Sequence, residues 1–273
     1  MATATIDGFD LFYKEGGKGS PVLLIHGTQP DGDVWGECFE ELTRDHRVIS
    51  YDRRGFSRSV HPPIKDYRRH TADAAALLRR LGAIPATVVG WSWGCIVALD
   101  LAAGHPELVS SLVLIEPAVH LKKHPTATLV KTMLKVQILR RIKGEQAAAG
   151  AFLRWACRYT SGGSAFDRYP EALREIVRRN ASALLTEVDA GTGEDLPETR
   201  ISSVRHTVTF LRGELSDPSF QKAIDRLVKL LPQGEVRRVP GAGHAVHFDQ
   251  PSAFTDAVRR AAGRDRQINS PAF

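Results

Sequence analysis

Three polar residues in the sequence have the types and the order that nucleophilic catalysis on a carbonyl group requires. Ser92 lies in the stretch GWSWG, and later stretches contain Asp217 and His244. A serine hydroxyl attacks a carbonyl carbon when a base takes its proton, and a carboxylate beside a histidine holds that base in the productive tautomer. The order serine, acid, histidine therefore predicts a catalytic triad.

The glycines around Ser92 indicate how the chain exposes this hydroxyl. The residues before Gly90 are typical of a buried strand, and residues 95–103 are typical of an apolar helix. A strand that passes into a helix through one residue strains that residue and brings the two elements too close for side chains two positions away. Because Gly90 and Gly94 remove those side chains, the sequence predicts a sharp turn with Ser92 at the carboxyl edge of a sheet.

Position selects the base among the ten histidines. His244 follows the last predicted strand and precedes the last predicted helix, and Gly241 and Gly243 allow a tight turn there. His247 is the nearest competitor and is expected to be a packing residue. His26 is interpreted as a hydrogen-bonding loop histidine.

Two carboxyl groups are candidates for the acid. Asp217 follows a predicted strand in the stretch LRGELSDP, and Pro218 favours the start of a helix there. Glu116 ends the earlier predicted strand SLVLIE and also lies between the serine and the histidine. The order of residues alone does not exclude Glu116.

The rest of the chain predicts the elements that position these residues. Strand and helix patterns alternate before residue 117 and after residue 205, which predicts a mainly parallel twisted sheet with helices on both faces. One of these helices is predicted at residues 70–82 and ends at Gly82. The intervening pattern is mostly helical. We therefore expect an α/β core formed by residues 1–117 and 205–273, with a helical cap inserted at residues 118–204.

The composition is that of a globular protein. Of the 273 residues, 42% are hydrophobic and 25% are charged, and no apolar run approaches the roughly 20 residues that span a bilayer. The cysteines, Cys38, Cys95 and Cys157, have no paired or metal-like spacing. Without a recognisable signal peptide, this pattern favours a reduced protein in the cytoplasm.

The net charge of +6 does not predict nucleic-acid binding. Arginine pairs are scattered along the chain with acidic residues between them, whereas a nucleic-acid site concentrates basic and aromatic residues. The segment KTMLKVQILRRIK, residues 131–143, predicts a basic amphipathic helix. Such a helix is either an ordinary helix of the cap or one that contacts a membrane surface or an acidic ligand.

The chain resembles enzymes with the α/β-hydrolase fold over about residues 3 to 262. The resemblance rests on five stretches in the family's order, which are LLIHGTQPDGDVW, VISYDRRGFSRS, VVGWSWGCIVALDLAAGHPELVSSLVLIEP, LRGELSDP and VPGAGHAVHFDQP. In the second stretch, Ser57 stands where the family often has a glycine. Asp52 and Arg53 of the same stretch are interpreted as charges that fix the loop.

The resemblance implies a mechanism. His244 would deprotonate Ser92, whose oxygen attacks a carbonyl carbon, while Asp217 would orient the imidazole and stabilise the imidazolium. The backbone N–H groups of Thr28 and Trp93 would bind the oxyanion. Water activated by the histidine would then release the acyl group.

The expected function is that of a serine hydrolase acting on a small to medium apolar carboxylic ester or lactone. Trp91 and Trp93 are expected to wall the acyl pocket or to belong to the core. No metal or cofactor is expected, because the sequence lacks GxGxxG, P-loop and HExxH motifs. The alternatives are C–C bond hydrolysis, amide hydrolysis or perhydrolysis on the same triad, and a ligand receptor that retains a slow triad. The expected partner is a small molecule, and the oligomeric state is not predicted.

Overall fold

The protein is built on one eight-stranded sheet. The computed structural model describes residues 2–28, 31–123 and 125–268, with side chains up to residue 263. The strands are β1 (Ala2–Ile6), β2 (Phe9–Gly16), β3 (Pro21–Ile25), β4 (Arg47–Tyr51), β5 (Ala86–Trp91), β6 (Val109–Ile115), β7 (Thr207–Gly213) and β8 (Gly234–Val239). Their order in the sheet is β1-β2-β4-β3-β5-β6-β7-β8. The β1–β2 and β2–β4 pairs are antiparallel, and the other pairs are parallel.

Helices cover both faces of the sheet, as predicted. The helices of the described chain are α1 (Gly36–Leu42), α2 (Tyr67–Leu81), α3 (Gly94–Gly104), α4 (Ala127–Lys143), α5 (Glu145–Ala156), α6 (Glu171–Arg179), α7 (Ala181–Ala190), α8 (Glu198–Ile201), α9 (Pro218–Leu230), α10 (Val246–Asp249) and α11 (Pro251–Ile268). Helices α2, α3 and α9 contribute to one apolar cluster and α1 and α11 to another. Adjacent residues of β5, Val88 and Val89, belong to different clusters because strand side chains alternate between faces.

The segment between β6 and β7 contains α4 to α8, and we call residues 118–204 the cap segment. Its side chains extend the second apolar cluster and form most of a third, smaller one with α9. The cap segment therefore packs on the sheet edge from which the candidate site residues emerge.

Helix α2 begins earlier than the sequence pattern predicts. Its first residue is Tyr67 rather than residue 70, because the Asp66 carboxylate accepts a hydrogen bond from Arg68 N at 3.0 Å and caps the helix. The predicted end is confirmed, since Gly82 adopts a left-handed conformation with φ of 57° and closes the helix.

The strand order brings the candidate residues together. Parallel strands β3, β5, β6, β7 and β8 are consecutive neighbours, so the loops after them meet at one edge of the sheet. Those loops carry His26, Ser92, Glu116, Asp217 and His244.

Candidate active site

The turn at Ser92 is sharp and strained. Strand β5 ends at Trp91 and α3 begins at Gly94, and Ser92 between them has φ of 55°, an uncommon conformation for a residue other than glycine. A Cβ atom on Gly90 would lie 2.8 Å from the Gly94 carbonyl oxygen, and one on Gly94 would lie 2.5 Å from the Ile25 carbonyl oxygen. No side chain fits at either glycine, so the backbone fixes the position of the serine.

The loop after β3 passes directly against Ser92. A Cβ atom on Gly27 would lie 2.9 Å from the Ser92 Cβ. The next residue, Thr28, lines the same cavity as Ser92 and Trp93. Neither the Thr28 nor the Trp93 backbone amide donates a hydrogen bond to another described residue. The two expected oxyanion donors thus lie beside the serine with their amides available.

A buried ion pair connects this loop to the cap segment. The Arg53 guanidinium binds the carboxylate of Glu187 on α7, and both side chains are essentially inaccessible to solvent. Arg53 also donates to the carbonyl oxygens of His26, at 3.1 Å, and Gly27, at 2.8 Å. The Thr28 hydroxyl donates to the second Glu187 oxygen at 2.7 Å. One ion pair therefore holds three consecutive residues of the loop after β3, which carries the expected oxyanion donor Thr28.

The same ion pair contacts the second expected oxyanion residue. The Arg53 guanidinium lies over the Trp93 ring, 4.8 Å from its centroid, and the Trp93 indole N–H donates to the Gly191 carbonyl in the cap segment at 3.0 Å. The sequence interpretation of Arg53 as a loop-fixing charge did not include Glu187. No motif marks Glu187, because its partner is 134 residues away.

His26 is part of this scaffold. Its Nε2 accepts a hydrogen bond from Arg53 N at 3.0 Å, and its ring packs edge-on against Phe56. Asp52 fixes the same loop by accepting from Gly32 N at 2.9 Å and from Arg58. These contacts position the backbone, and they leave His244 as the candidate base.

His244 is completely buried next to two aromatic rings. Phe220 stacks on the imidazole with ring centroids 3.9 Å apart. The Trp91 ring is tilted against the imidazole, with centroids 5.7 Å apart. Neither ring nitrogen of His244 has a hydrogen-bond partner within the described chain, Ser92 included. Burial lowers the pKa of His244 to about 3, against the opposing effect of the negative charges of Asp217 and Asp249.

Glu116 is the carboxyl group nearest to the imidazole. Its Oε2 lies 3.7 Å from His244 Nδ1 and has no hydrogen-bond partner among the described residues. Its Oε1 accepts from Gly213 N at 2.6 Å and from the Ser216 hydroxyl at 3.1 Å. Burial raises the pKa of Glu116 to about 8, although these two hydrogen bonds oppose the shift.

Asp217 is buried in the same region but is bound differently. Its carboxylate accepts from Ser219 N at 3.0 Å and from the Ser219 hydroxyl at 2.7 Å, which caps α9. The Thr128 hydroxyl of the cap segment donates to it at 3.2 Å. No hydrogen bond or ion pair joins Asp217 to His244 within the described residues, and Asp217 influences the imidazole through its charge.

An apolar cavity of about 330 Å³ lies between the sheet edge and the cap segment. Ser92, Thr28 and Trp93 form its floor, and Glu187 is the one carboxylate among its described lining residues. The large apolar side chains of its wall come mainly from α4, α5 and the start of α9, namely Leu129, Met133, Phe152, Trp155 and Phe220. A cavity of this size and character accommodates a medium-sized apolar group beside the serine.

The two tryptophans beside Ser92 have different surroundings. Trp93 lines the cavity, but Trp91 does not, so the expectation that Trp91 walls the pocket is wrong. Trp91 is the last residue of β5 and points into the core beneath the site, where it contacts Trp35 and His247 and donates its indole N–H to the His244 carbonyl at 2.8 Å. His247 lies among these rings as a buried packing residue.

The sequence profile of the alpha/beta hydrolase family matches residues 22–257. Among curated relatives, the uncharacterized hydrolase YraK of Bacillus subtilis is 37% identical over 118 residues, which are 42% of this chain and 44% of that protein. This match therefore spans less than half the length of that relative.

Two solved structures share the fold over nearly their whole length. A bromoperoxidase from Bacillus anthracis superposes with a TM-score of 0.81 and 21% identity, covering 96% of this chain and 99% of that one. An esterase from Exiguobacterium antarcticum superposes with a TM-score of 0.80 and 17% identity, with the same two coverages. At such identities, the likeness concerns the fold alone.

Proposed function

Since the chain belongs to the alpha/beta hydrolase family, we propose that it is a serine hydrolase that cleaves small to medium apolar carboxylic esters or lactones through an acyl-enzyme on Ser92. The observation that carries this proposal is the strained Ser92 on the floor of an apolar cavity, beside the Thr28 and Trp93 amides, which donate to no other described residue. Attack by the Ser92 hydroxyl on a carbonyl would place the oxyanion near these two N–H donors, whose hydrogen bonds would stabilise its negative charge.

His244 is the proposed base. Its imidazole lies in the loop after β8, at the sheet edge that also carries Ser92, and its lowered pKa keeps it neutral, which a proton acceptor requires. Catalytic hydrogen bonds are often long without substrate and tighten when substrate binds. The proposed first step therefore includes closure of the distance between the imidazole and the serine hydroxyl. His244 would then protonate the leaving alkoxide and later activate the water that releases the acid.

Asp217 is the proposed acid, with Glu116 as the alternative. The negative charge of Asp217 raises the pKa of His244, which means that it stabilises the imidazolium formed in the reaction. Glu116 lies closer, but a pKa of about 8 leaves it largely protonated at neutral pH when the imidazole is neutral. A protonated carboxyl group supplies no charge to the imidazolium, so proximity supports Glu116 and electrostatics supports Asp217.

The cavity supports an apolar acyl group as the substrate element bound nearest the serine. Its described wall is almost entirely aliphatic and aromatic, and the carboxylate of Glu187 is already engaged by Arg53 and Thr28. The other charged lining residue of the described chain, Lys122, is exposed, so no unpaired charge among the described lining residues is buried in the cavity to bind a charged acyl chain. Uncharged acyl esters and lactones fit this surface better than charged substrates do.

Replacing the nucleophile tests the proposal. We expect Ser92→Ala to fold normally and to lose kcat by ~10⁴–10⁶ on p-nitrophenyl butyrate, as removal of a triad nucleophile does elsewhere. A fluorophosphonate probe should label the wild type and not this variant. The exposed Ser252 of α11 offers a matched control, and Ser252→Ala should retain both labelling and turnover.

Two results would contradict the serine hydrolase. The first is a Ser92→Ala variant with near-wild-type turnover or undiminished labelling. The second is a wild type that releases only about one equivalent of p-nitrophenol, which is the behaviour of a ligand receptor with a slow triad. Lactone, anilide and 1,3-diketone substrates tested in parallel separate ester and lactone hydrolysis from amide and C–C bond hydrolysis.

A further inference from the structure

Helix α4 of the cap segment has two apolar faces, and the fold uses only one of them. Leu129 and Val136 are buried, and Met133 and Leu139 pack beside them against the core. On the other side, four large aliphatic side chains are exposed, which are Val130 (56%), Leu134 (63%), Ile138 (49%) and Ile142 (68%). We call these four residues the α4 stripe.

The α4 stripe is unusual within this molecule. Only seven large hydrophobic side chains are strongly exposed in the part of the chain that the structure describes, and four of them form this stripe. Their i, i+4 spacing makes them neighbours on the helix surface, so that they form a continuous band about 18 Å long. Isolated exposed apolar residues are normal, but a contiguous band indicates a binding surface.

The stripe is surrounded by positive charge. Lys131, Lys135, Arg141 and Lys143 of α4 are exposed, and none of the four forms an ion pair with a described residue. The helix contains no acidic residue. The nearby acids Asp189 and Glu145 are both bound by Arg140, so they do not neutralise the face.

The mouth of the cavity adjoins one end of the stripe. Among the described lining residues, three are exposed, namely Lys122, Pro125 and Val130. Val130 belongs both to the cavity wall and to the stripe. Whatever covers the stripe therefore also lies next to the entrance of the cavity.

We propose that the α4 stripe docks on an anionic lipid surface and holds the mouth of the cavity against it. An amphipathic helix with aliphatic residues flanked by lysine and arginine binds such a surface by burying its apolar side chains and pairing its charges with lipid headgroups. None of the described helices is long and apolar enough to cross a membrane. Resting on the proposed function, the apolar esters would then enter from the lipid phase.

The charges also argue against a second copy of the chain as the occupant. Two copies joined through this face would bring together four unpaired cations from each, on a chain whose net charge is +6. Like charges across an interface oppose association. An anionic surface instead satisfies both the apolar band and the cations around it.

Vesicle sedimentation tests the docking. We expect the wild type to bind vesicles of phosphatidylglycerol and phosphatidylcholine in equal parts, and to bind pure phosphatidylcholine vesicles much more weakly. The double variant Leu134→Gln/Ile138→Gln should lower the partition coefficient by roughly 100-fold, about tenfold for each half-exposed aliphatic side chain. Val60→Gln, which removes an 82% exposed aliphatic residue elsewhere, is the matched control and should bind as the wild type does.

Charge variants test the second half of the proposal. Lys131→Gln/Lys135→Gln should lower partition into the anionic vesicles by roughly 25-fold, since each cation near an anionic surface contributes about fivefold. It should not change the weak binding to phosphatidylcholine. The matched control Lys18→Gln/Lys65→Gln removes two exposed cations elsewhere. It should change neither the partition into anionic vesicles nor the binding to phosphatidylcholine.

The outcomes separate this proposal from the catalytic one. Leu134 and Ile138 do not line the cavity, so their double variant should hydrolyse soluble p-nitrophenyl butyrate as the wild type does, and Ser92→Ala should bind vesicles normally. Docking is refuted if the wild type ignores anionic vesicles or if the Leu134→Gln/Ile138→Gln variant binds them equally well. A lipid-free dimer that this variant converts to a monomer would also refute it, by assigning the stripe to a second copy.

Discussion

Ser92 and His244 lie at the same edge of the sheet, but backbone contacts fix the first and side-chain packing fixes the second. Around Ser92, the chain approaches so closely that no Cβ atom fits on Gly90, Gly94 or Gly27. Around His244, the neighbours are the Phe220 and Trp91 rings and the Glu116 carboxyl group, and neither imidazole nitrogen is hydrogen-bonded within the described chain.

This difference indicates where the site is already formed and where it must adjust. Hydrogen bonds to Arg53 and Glu187 hold the loop after β3, and close backbone packing holds Ser92, so both are positioned before substrate arrives. The imidazole makes no hydrogen bond within the described chain, so packing alone sets its orientation. Substrate binding is therefore expected to align the base rather than the nucleophile.

Among changes to the residues around His244, replacement of the proposed acid should have the largest effect on kcat. Asp217→Asn should lower kcat by ~10⁴, because an amide carries no charge to stabilise the imidazolium. Asparagine is also a good helix N-cap, so the start of α9 should survive, and the thermal midpoint reports this.

Glu116→Gln is the matched comparison and should lower kcat by at most about tenfold. The amide oxygen of the substituted side chain can still accept from Gly213 N, so the loop after β6 should be retained. If the Glu116 variant is the inactive one and Asp217→Asn remains active, the acid of the triad is Glu116, and its 3.7 Å separation from His244 Nδ1 is the functional contact.

The fold and the turn at Ser92 could be predicted from the sequence because both depend on local sequence patterns. Alternation of strand and helix patterns predicted the sheet, and the spacing of Gly90 and Gly94 around Ser92 predicted a turn that tolerates no side chain. The early start of α2 was missed because a single capping carboxylate, Asp66, extends the helix beyond its apolar pattern.

The histidine side and the cap could not be predicted in the same way. Trp91 and Trp93 are two residues apart, and only the place where β5 ends decides that one enters the core and the other the cavity. Glu187 and Phe220 reach the site from remote elements, and side-chain contacts over such separations leave no local pattern. The choice between Asp217 and Glu116 likewise depends on burial and charge in three dimensions.

A smaller effect on kcat is expected when the contact between Glu187 of the cap segment and the loop after β3 is removed. Glu187→Gln should lower kcat by about 10–100-fold and change KM less, because a shift of the loop misplaces the Thr28 amide in the transition state. It should also destabilise the fold, since it leaves the Arg53 charge buried without its partner.

A second ion pair separates these two consequences. Arg54 and Asp73 form another buried pair that does not line the cavity, so Asp73→Asn should lower the thermal midpoint and leave kcat nearly unchanged. The apolar pair Arg53→Met/Glu187→Met should recover stability but not kcat. Equal kcat losses in the Asp73 and Glu187 variants would mean that Glu187 acts through stability alone.

The smallest effect concerns pH and tests the aromatic cover of the base. His244 must be neutral to accept a proton, and burial lowers its pKa from 6.5 to about 3. Because the pKa is lowered, the neutral form persists as the pH falls, so kcat/KM should stay nearly constant from pH 8 to pH 5 and decline only below that range. From the sequence alone, the decline is expected in the usual histidine range.

Phe220→Ala should move that decline upward. Without the ring stacked at 3.9 Å, water reaches the imidazole and stabilises its protonated form, so the pKa should rise toward 6.5 and kcat/KM should begin to fall at a higher pH. Phe152→Ala is the control, because Phe152 also lines the cavity but packs against Trp155 and not on His244. Profiles of kcat/KM on p-nitrophenyl butyrate from pH 4 to 9 decide the matter. If kcat/KM of the Phe220 and Phe152 variants declines at the same low pH as that of the wild type, Phe220 does not control the protonation of His244. The pKa of the enclosed imidazole would then not set the pH dependence of catalysis.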